Sequence, residues 1–301
     1  MTTTDKGADA ASAPLRVGPT RRQLYTRAKR RRSNLIAATS TALVIAALVV
    51  FVPMAPGWDK VRKSFFDWDR FRQDFPALLD YLWIDIKLFL VCAPFILVWG
   101  LAIALMRNAR SPALFPMRMF ASGYTDFFRG VPIILTIFLV GFGIPGLGLK
   151  GSYDFLWFSG KWSSPYVWGP VALILAYSAY VGEVFRSGIE GVHESQRAAA
   201  RSLGLSHSRT MYHVVLPQAW RSVIPPLMND MLSLMKDVAL ISFLGPIEVF
   251  RRATSIKDRT ANYTPLVAAA AIFLLLTIPL TRSVDWYVAR QRRRTGGTVV
   301  L

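Results

Sequence analysis

Residues 187–222 read SGIEGVHESQRAAARSLGLSHSRTMYHVVLPQAWRS, a polar stretch set between two apolar ones. A helix–helix connection of this length is far longer than turning the chain requires, so it predicts structure of its own. Ser195 stands where a side chain caps the Ala-rich helix QRAAARSL, and Ala has the best helix propensity. Gly204 supplies the left-handed residue that ends this helix. Ser206 then caps a second short helix, and Pro217 marks the break where the chain enters the next apolar run. The product is a short helix lying across the membrane axis, with Ala199 and Leu203 exposed on one side. An exposed apolar stripe of that kind wants a partner.

Outward from this stretch the chain is apolar. Its 301 residues are 53% hydrophobic, with 36 Lys and Arg against 18 Asp and Glu and a single Cys. The mean hydropathy is +0.35. These values exclude a disordered chain and a disulfide framework, and they argue against an ordinary soluble domain. Crossing a bilayer takes roughly 20 apolar residues. Six stretches qualify as candidates: 34–54, 82–106, 119–143, 167–185, 223–244 and 265–284. The fold class is therefore all-α, a polytopic membrane protein of about six transmembrane helices with a cytoplasmic helix between the fourth and fifth. Segments on the side of the two tails carry 20 Lys and Arg and those opposite carry 11, with RAKRRR just before the first span. That excess places both termini in the cytoplasm. The division expected is a basic tail over 1–33, a first span and outside segment over 34–80, a core of spans over 81–284 and a basic tail over 285–301. The first span, too long for a signal-peptide core, stays uncleaved. Residues 1–15 read as disordered. The segment 55–80 balances five basic residues with five Asp and reads as an amphipathic helix on the outer leaflet. The basic clusters suit anionic lipid rather than nucleic acid.

Constellations for chemistry are lacking. No phosphate loop of the GxxxxGK[ST] type occurs, nor HExxH, CxxC or GxSxG. GIPGLGLKG (143–151) is a turn in an outside loop. His193, His207 and His213 are spaced 14 and 6 apart, which does not align them on one helix face, so they read as solvated surface. Cys92 lies in an apolar span and reads as packing. The chain is expected to be no enzyme by itself and to need no cofactor or metal.

AAARSLGLSHSRTMYHVVLPQA resembles the EAA loop of the permease subunits of type I ABC importers. Three further stretches resemble the polar amino-acid subfamily: YTDFFRGVPIILTIF (124–138), AYVGEVFRSGIEGV (179–192) and PPLMNDMLSLMKDVALISFLG (225–245). The family's leading Glu falls on Ala198, so the chain reads A-A-A and offers no charged contact there. The resemblance implies a plasma-membrane permease subunit that moves a polar amino acid. Two ATPase subunits would dock on the coupling loop, about 194–217, beside a second permease chain, and an extracytoplasmic binding protein would deliver the solute. Ala198, Ala199, Leu203, Gly204 and Pro217 would shape the coupling element, with Arg201 as its polar contact. The alternative is an ion-coupled secondary transporter, which usually shows two related halves absent here.

Ionisable residues inside spans default to functional or paired roles. Asp126 with Arg129, and Glu183 with Arg186, each form an i, i+3 pair near the cytoplasmic side. Either each pair is local, or Asp126 pairs with Arg186 and Glu183 with Arg129 across helices to hold a gate. Lys236 and Asp237, adjacent in sequence, point about 100° apart. They serve a structural ion pair or present both signs of charge to an amino acid in the pathway. Asp85 and Lys87 read as interfacial, and Pro132, Pro225 and Pro226 as breaks or bends at helix ends beside a cavity.

Overall fold

The computed structural model describes residues 21–109, 111–156 and 158–294. The chain divides into two compact units, the first ending at Arg62 and the second beginning at Lys63. The disordered segment expected over 1–15 and most of the basic tail over 1–33 lie outside the described residues, as do 295–301 of the other tail. The first unit holds α1 (Arg21–Phe51), whose apolar part Ser33–Phe51 is long enough to span a bilayer. α2 (Trp58–Phe65) follows.

In the second unit, α3 (Trp68–Arg107) starts where Asp67 caps it, its Oδ1 accepting from the Arg70 N–H at 3.2 Å. α4 (Phe115–Gly130) and α5 (Ile133–Gly143) occupy the stretch expected as one span. They are bent through 109° at Val131–Pro132. Proline disfavours helical geometry in the preceding residue, and Val131 is extended here, with ψ 130°. Pro132 therefore breaks the helix as expected. The loop between α5 and α6 carries a small hairpin not foreseen in the sequence, β1 (Ser152–Phe155) antiparallel to β2 (Phe158–Lys161), with Tyr153 opposite Gly160. α6 (Pro165–Glu190) leads into the connection, which α7 (Glu194–Ser202) and α8 (His207–Thr210) form. A wide π-turn, Met211–Val215, leads into α9 (Leu216–Asp237), which tightens into a 3-10 helix over Val238–Leu244. α10 (Val249–Thr260) and α11 (Thr264–Arg294) complete the unit.

Among the described residues four helical stretches are long and apolar enough to cross a membrane, and the bent α4–α5 pair would make five. The sixth candidate, 223–244, falls within α9 and its 3-10 extension and carries Asn229, Asp230, Lys236 and Asp237, which lower its apolarity. Pro225 and Pro226 were expected at helix ends, yet both sit inside α9. Pro225 cannot donate to the Arg221 carbonyl one turn earlier, and the Gln291 Nε2 of α11 donates to that carbonyl instead, at 2.9 Å. A neighbouring helix thus satisfies what the proline frees.

The main core lies between α3, α5, α6 and α9, with Cys92, Ile96, Leu173, Leu234 and Ile241 fully or almost fully buried. α3 and α6 approach closest at two glycines. A Cβ on Gly182 would stand 3.1 Å from the Gly100 carbonyl oxygen, and one on Gly100 would stand 2.7 Å from Val181 Cγ1. Small residues let backbones come together where lipid offers no hydrophobic drive between helices. Trp99 on α3 donates to the Tyr124 hydroxyl at 3.1 Å, which donates to the Leu175 carbonyl of α6 at 2.7 Å. We expect Gly182→Val to lower stability by about 1–3 kcal/mol, read as a lower midpoint of thermal unfolding in detergent. A change at Gly123, where an added Cβ meets nothing within 4 Å, serves as the control.

Candidate functional site

The connection between α6 and α9 has the two-helix form expected, with one change at its start. α7 begins at Glu194, and its cap is His193 rather than Ser195: the His193 Nδ1 accepts from the Ser195 N–H at 3.2 Å. The other punctuation falls where expected. Gly204 has φ +81°, and Ser206 Oγ accepts from the Arg209 N–H at 3.4 Å. Pro217 is the second residue of α9, directly after the π-turn. The helical run from His207 continues through it, so the expected break is a change of helical pitch and not an interruption.

The segment has a packed foot and a bare tip. Ile189, Val192, Val215 and Ala219 bury one another beneath it. Arg197 donates to the Ile189 carbonyl, and Gln218 donates to Gln196. On the opposite side Ala198, Ala199, Gly204 and Pro217 are exposed, and Leu203 is 84% exposed. Arg201 is tied to Glu194 at 2.7 Å across the same surface. A leucine held this bare on an ordered helix end is a contact waiting for an apolar surface. His193 and Ser195 lie beside it, His213 stacks edge-on with Tyr212, and the His207 side chain is outside the described set. No group of three potential metal ligands occurs among the described residues.

Above the connection, Glu183 of α6 collects three guanidinium groups: Arg107 at 2.6 Å, Arg186 at 2.5 Å and Arg129 at 3.8 Å. Arg186 also holds Glu190 at 2.5 Å. Glu183 therefore has both its local partner and the cross-helix one. Asp126 pairs with neither Arg129 nor Arg186 among the described residues. Its neighbours Tyr124 and Thr125 take the buried face of α4, which leaves Asp126 exposed. Arg107, the last residue of α3, was not anticipated, because nothing local in the sequence says which helix end meets α6.

A polar strip continues along the α6–α9 contact. Arg129 lies 5.9 Å from the Tyr180 ring centroid, and the Tyr177 hydroxyl donates to Asp237 Oδ2 at 2.7 Å. Asp230 acts electrostatically with Arg129, and its Oδ2 is buried with no hydrogen-bond partner among the described residues. Lys236 is exposed, and neither it nor Asp237 forms an ion pair among the described residues. Tyr177, Tyr180 and Asp230 escaped the sequence reading. The quoted stretch 225–245 contains Asp230, and its place one helical turn before the Leu-Met-Lys-Asp run was the available signal.

At the other end, Asp85 is fully buried rather than interfacial, and Lys87 rests 5.7 Å from the Trp83 ring centroid. Asp85 Oδ2 accepts from the Val249 N–H at 3.4 Å, and its carboxyl reaches that of Glu248, the cap of α10. Glu248 accepts from the Phe250 and Arg251 N–H groups at 2.6 and 2.7 Å. Burial pushes the Glu248 carboxyl up to about 7, against the pull of those backbone donors.

Residues 96–293 match the family described as the binding-protein-dependent transport system inner membrane component. The chain is 33% identical over 207 residues to the arginine transport system permease protein ArtQ of Bacillus subtilis (strain 168), covering 68% of this chain and 88% of that protein. It is 29% identical over 235 residues to the glutamate/aspartate import permease protein GltK of Escherichia coli O157:H7, covering 76% and 98%. Among solved structures, a crystal structure of an amino acid ABC transporter with histidines superposes with a TM-score of 0.65 at 29% identity, covering 74% of this chain and 98% of that one.

Two outcomes follow from this geometry. Glu183→Ala leaves Arg107 and Arg186 without their shared anion and should cost about 1–3 kcal/mol, whereas Arg129→Ala should cost under about 1 kcal/mol; thermal unfolding of each variant checks the order. Glu248 binds its proton more tightly folded than unfolded, so its contribution is whole below about pH 4.5 and is lost as pH rises through about 7. The unfolding midpoint should fall across that window, and fall less in Glu248→Gln.

Proposed function

The chain belongs to the binding-protein-dependent transport system inner membrane components, and from that membership we propose that it is the permease of an ATP-driven importer of polar amino acids. A multi-pass membrane subunit of this family works with a solute-binding protein and an ATP-hydrolysing subunit. In this reading two ATPase subunits grip the α7–α8 segment from the cytoplasm, a second permease chain completes the pathway, and both termini lie in the cytoplasm. The relatives that carry arginine and glutamate/aspartate in their names support the solute class.

The observation that carries the reading is Leu203, bare at the tip of a segment whose foot is packed on α6 and α9. Force on Leu203, with Ala198, Ala199 and Arg201 around it, passes through Gly204 and the π-turn to Pro217 and the start of α9. Motion of α9 in turn shifts the polar strip. Arg129 suits the carboxylate of a passing amino acid, and the orphaned Asp230 oxygen suits its ammonium group. Asp237, Lys236 and the exposed Asp126 extend this strip, while Glu183 and Arg186 brace its cytoplasmic end.

Uptake by vesicles holding the permease, its ATPase and its binding protein tests the proposal. Leu203→Asp should cut ATP-dependent accumulation of arginine, glutamine or glutamate more than tenfold, while the permease still folds and unfolds at an unchanged temperature. Accumulation driven by an ion gradient in the absence of the ATPase would overturn it.

A further inference from the structure

α9 has two unlike faces. Asp230 and Asp237 lie on the side of Tyr177 of α6, while Met228, Met231, Leu232 and Met235 line a groove walled also by α3, by α11 and by Phe185 and Ile189 at the end of α6. The groove has a volume of about 900 Å³. Its walls offer almost nothing polar: the Ser283 hydroxyl already donates to the Pro279 carbonyl at 2.8 Å. A zwitterionic solute finds no partner there, so the groove is separate from the polar strip. Methionine side chains are flexible and polarizable, and they adapt to a guest of irregular shape.

Met228 and Ser283 also border a second hollow, of about 470 Å³, whose other walls are Arg282, Trp286 and Tyr287. Arg282 is exposed and forms no ion pair among the described residues. One turn beyond Trp286, the Arg290 guanidinium sits 5.1 Å from its ring centroid and adds a second cation. Tryptophan and tyrosine gather at membrane–water interfaces, and basic pockets between helices on the cytoplasmic side hold anionic headgroups. On α3 the groove runs from Phe89 to Leu101, about 18 Å at 1.5 Å per residue, close to the ~15 Å of one leaflet's hydrocarbon.

We propose that this groove binds an anionic phospholipid of the cytoplasmic leaflet, with an acyl chain between α3 and α9 and the phosphate on Arg282. The size and apolarity of the groove set the chain's place, and the unpaired guanidinium at its edge sets the sign of the headgroup. The site stands apart from the proposed transport of amino acids, and its test does not depend on it.

The test uses the full transporter complex in phosphatidylcholine nanodiscs doped with phosphatidylglycerol. Lipid retained through detergent extraction is counted by native mass spectrometry, and spin-labelled lipids are competed against it. Phosphatidylglycerol should be retained in preference to phosphatidylcholine. Arg282→Gln should reduce that preference about fivefold, the factor one cation near the surface supplies, and Arg282→Lys should keep it. Leu232→Trp, which fills the groove, should lower retention of both lipids. Equal retention by wild type, or no change in Arg282→Gln, would overturn the proposal. So would efficient cross-linking of Leu232→Cys between two copies in the membrane, because a second chain would then cover this face.

Discussion

One carboxylate ties α3, α4 and α6 together. Glu183 accepts from Arg107 at the end of α3 and from Arg186 on its own helix, and Arg129 of α4 completes the set at 3.8 Å. At only 20% side-chain exposure the charge is costly to leave alone, and it is stable because cations from three helices converge on it. The close α3–α6 approach at Gly100 and Gly182 brings those helix ends within reach of each other. The α7–α8 segment hangs from the same place, since Arg197 grips the Ile189 carbonyl at the end of α6. A connection tied this firmly at its foot can transmit a push at its tip without bending away.

α9 turns that push into two kinds of surface. Its carboxylates meet Tyr177 and Arg129 of the polar strip, the place proposed for a solute with both signs of charge. Its methionines face the apolar groove proposed for lipid. The π-turn that introduces α9 carries one wide turn of backbone, a feature often found where helices must adjust at functional sites. It lies between the exposed Leu203 and the polar strip, in the position a joint would need.

What was legible in the sequence was local. Gly204, Ser206 and the Ala-rich helix between spans were placed correctly because capping and left-handed turns depend on a few neighbouring residues. Ser195 lost its role to His193, two residues earlier, whose imidazole nitrogen accepts from the Ser195 N–H itself. The family followed from four ordered motifs, and the match over 96–293 bears it out. Of the tertiary partners, only Glu183 with Arg129 was among the pairings offered by the sequence. The sequence placed Asp85 at an interface, but the fold buries it beside Glu248, 163 residues along the chain. Arg107 and Tyr177 became visible only once α3, α6 and α9 were side by side. Pro225 was read as a break because its missing N–H is local, while the Gln291 side chain that compensates comes from another helix.

The account turns on Leu203 touching the subunit that hydrolyses ATP. Replacing it with a photo-activatable phenylalanine and illuminating the assembled transporter measures that contact directly. A cross-link to the ATPase, with a yield that changes on adding ATP, is the result the account predicts. Illumination that labels lipid alone, in a transporter that still accumulates solute, would contradict it.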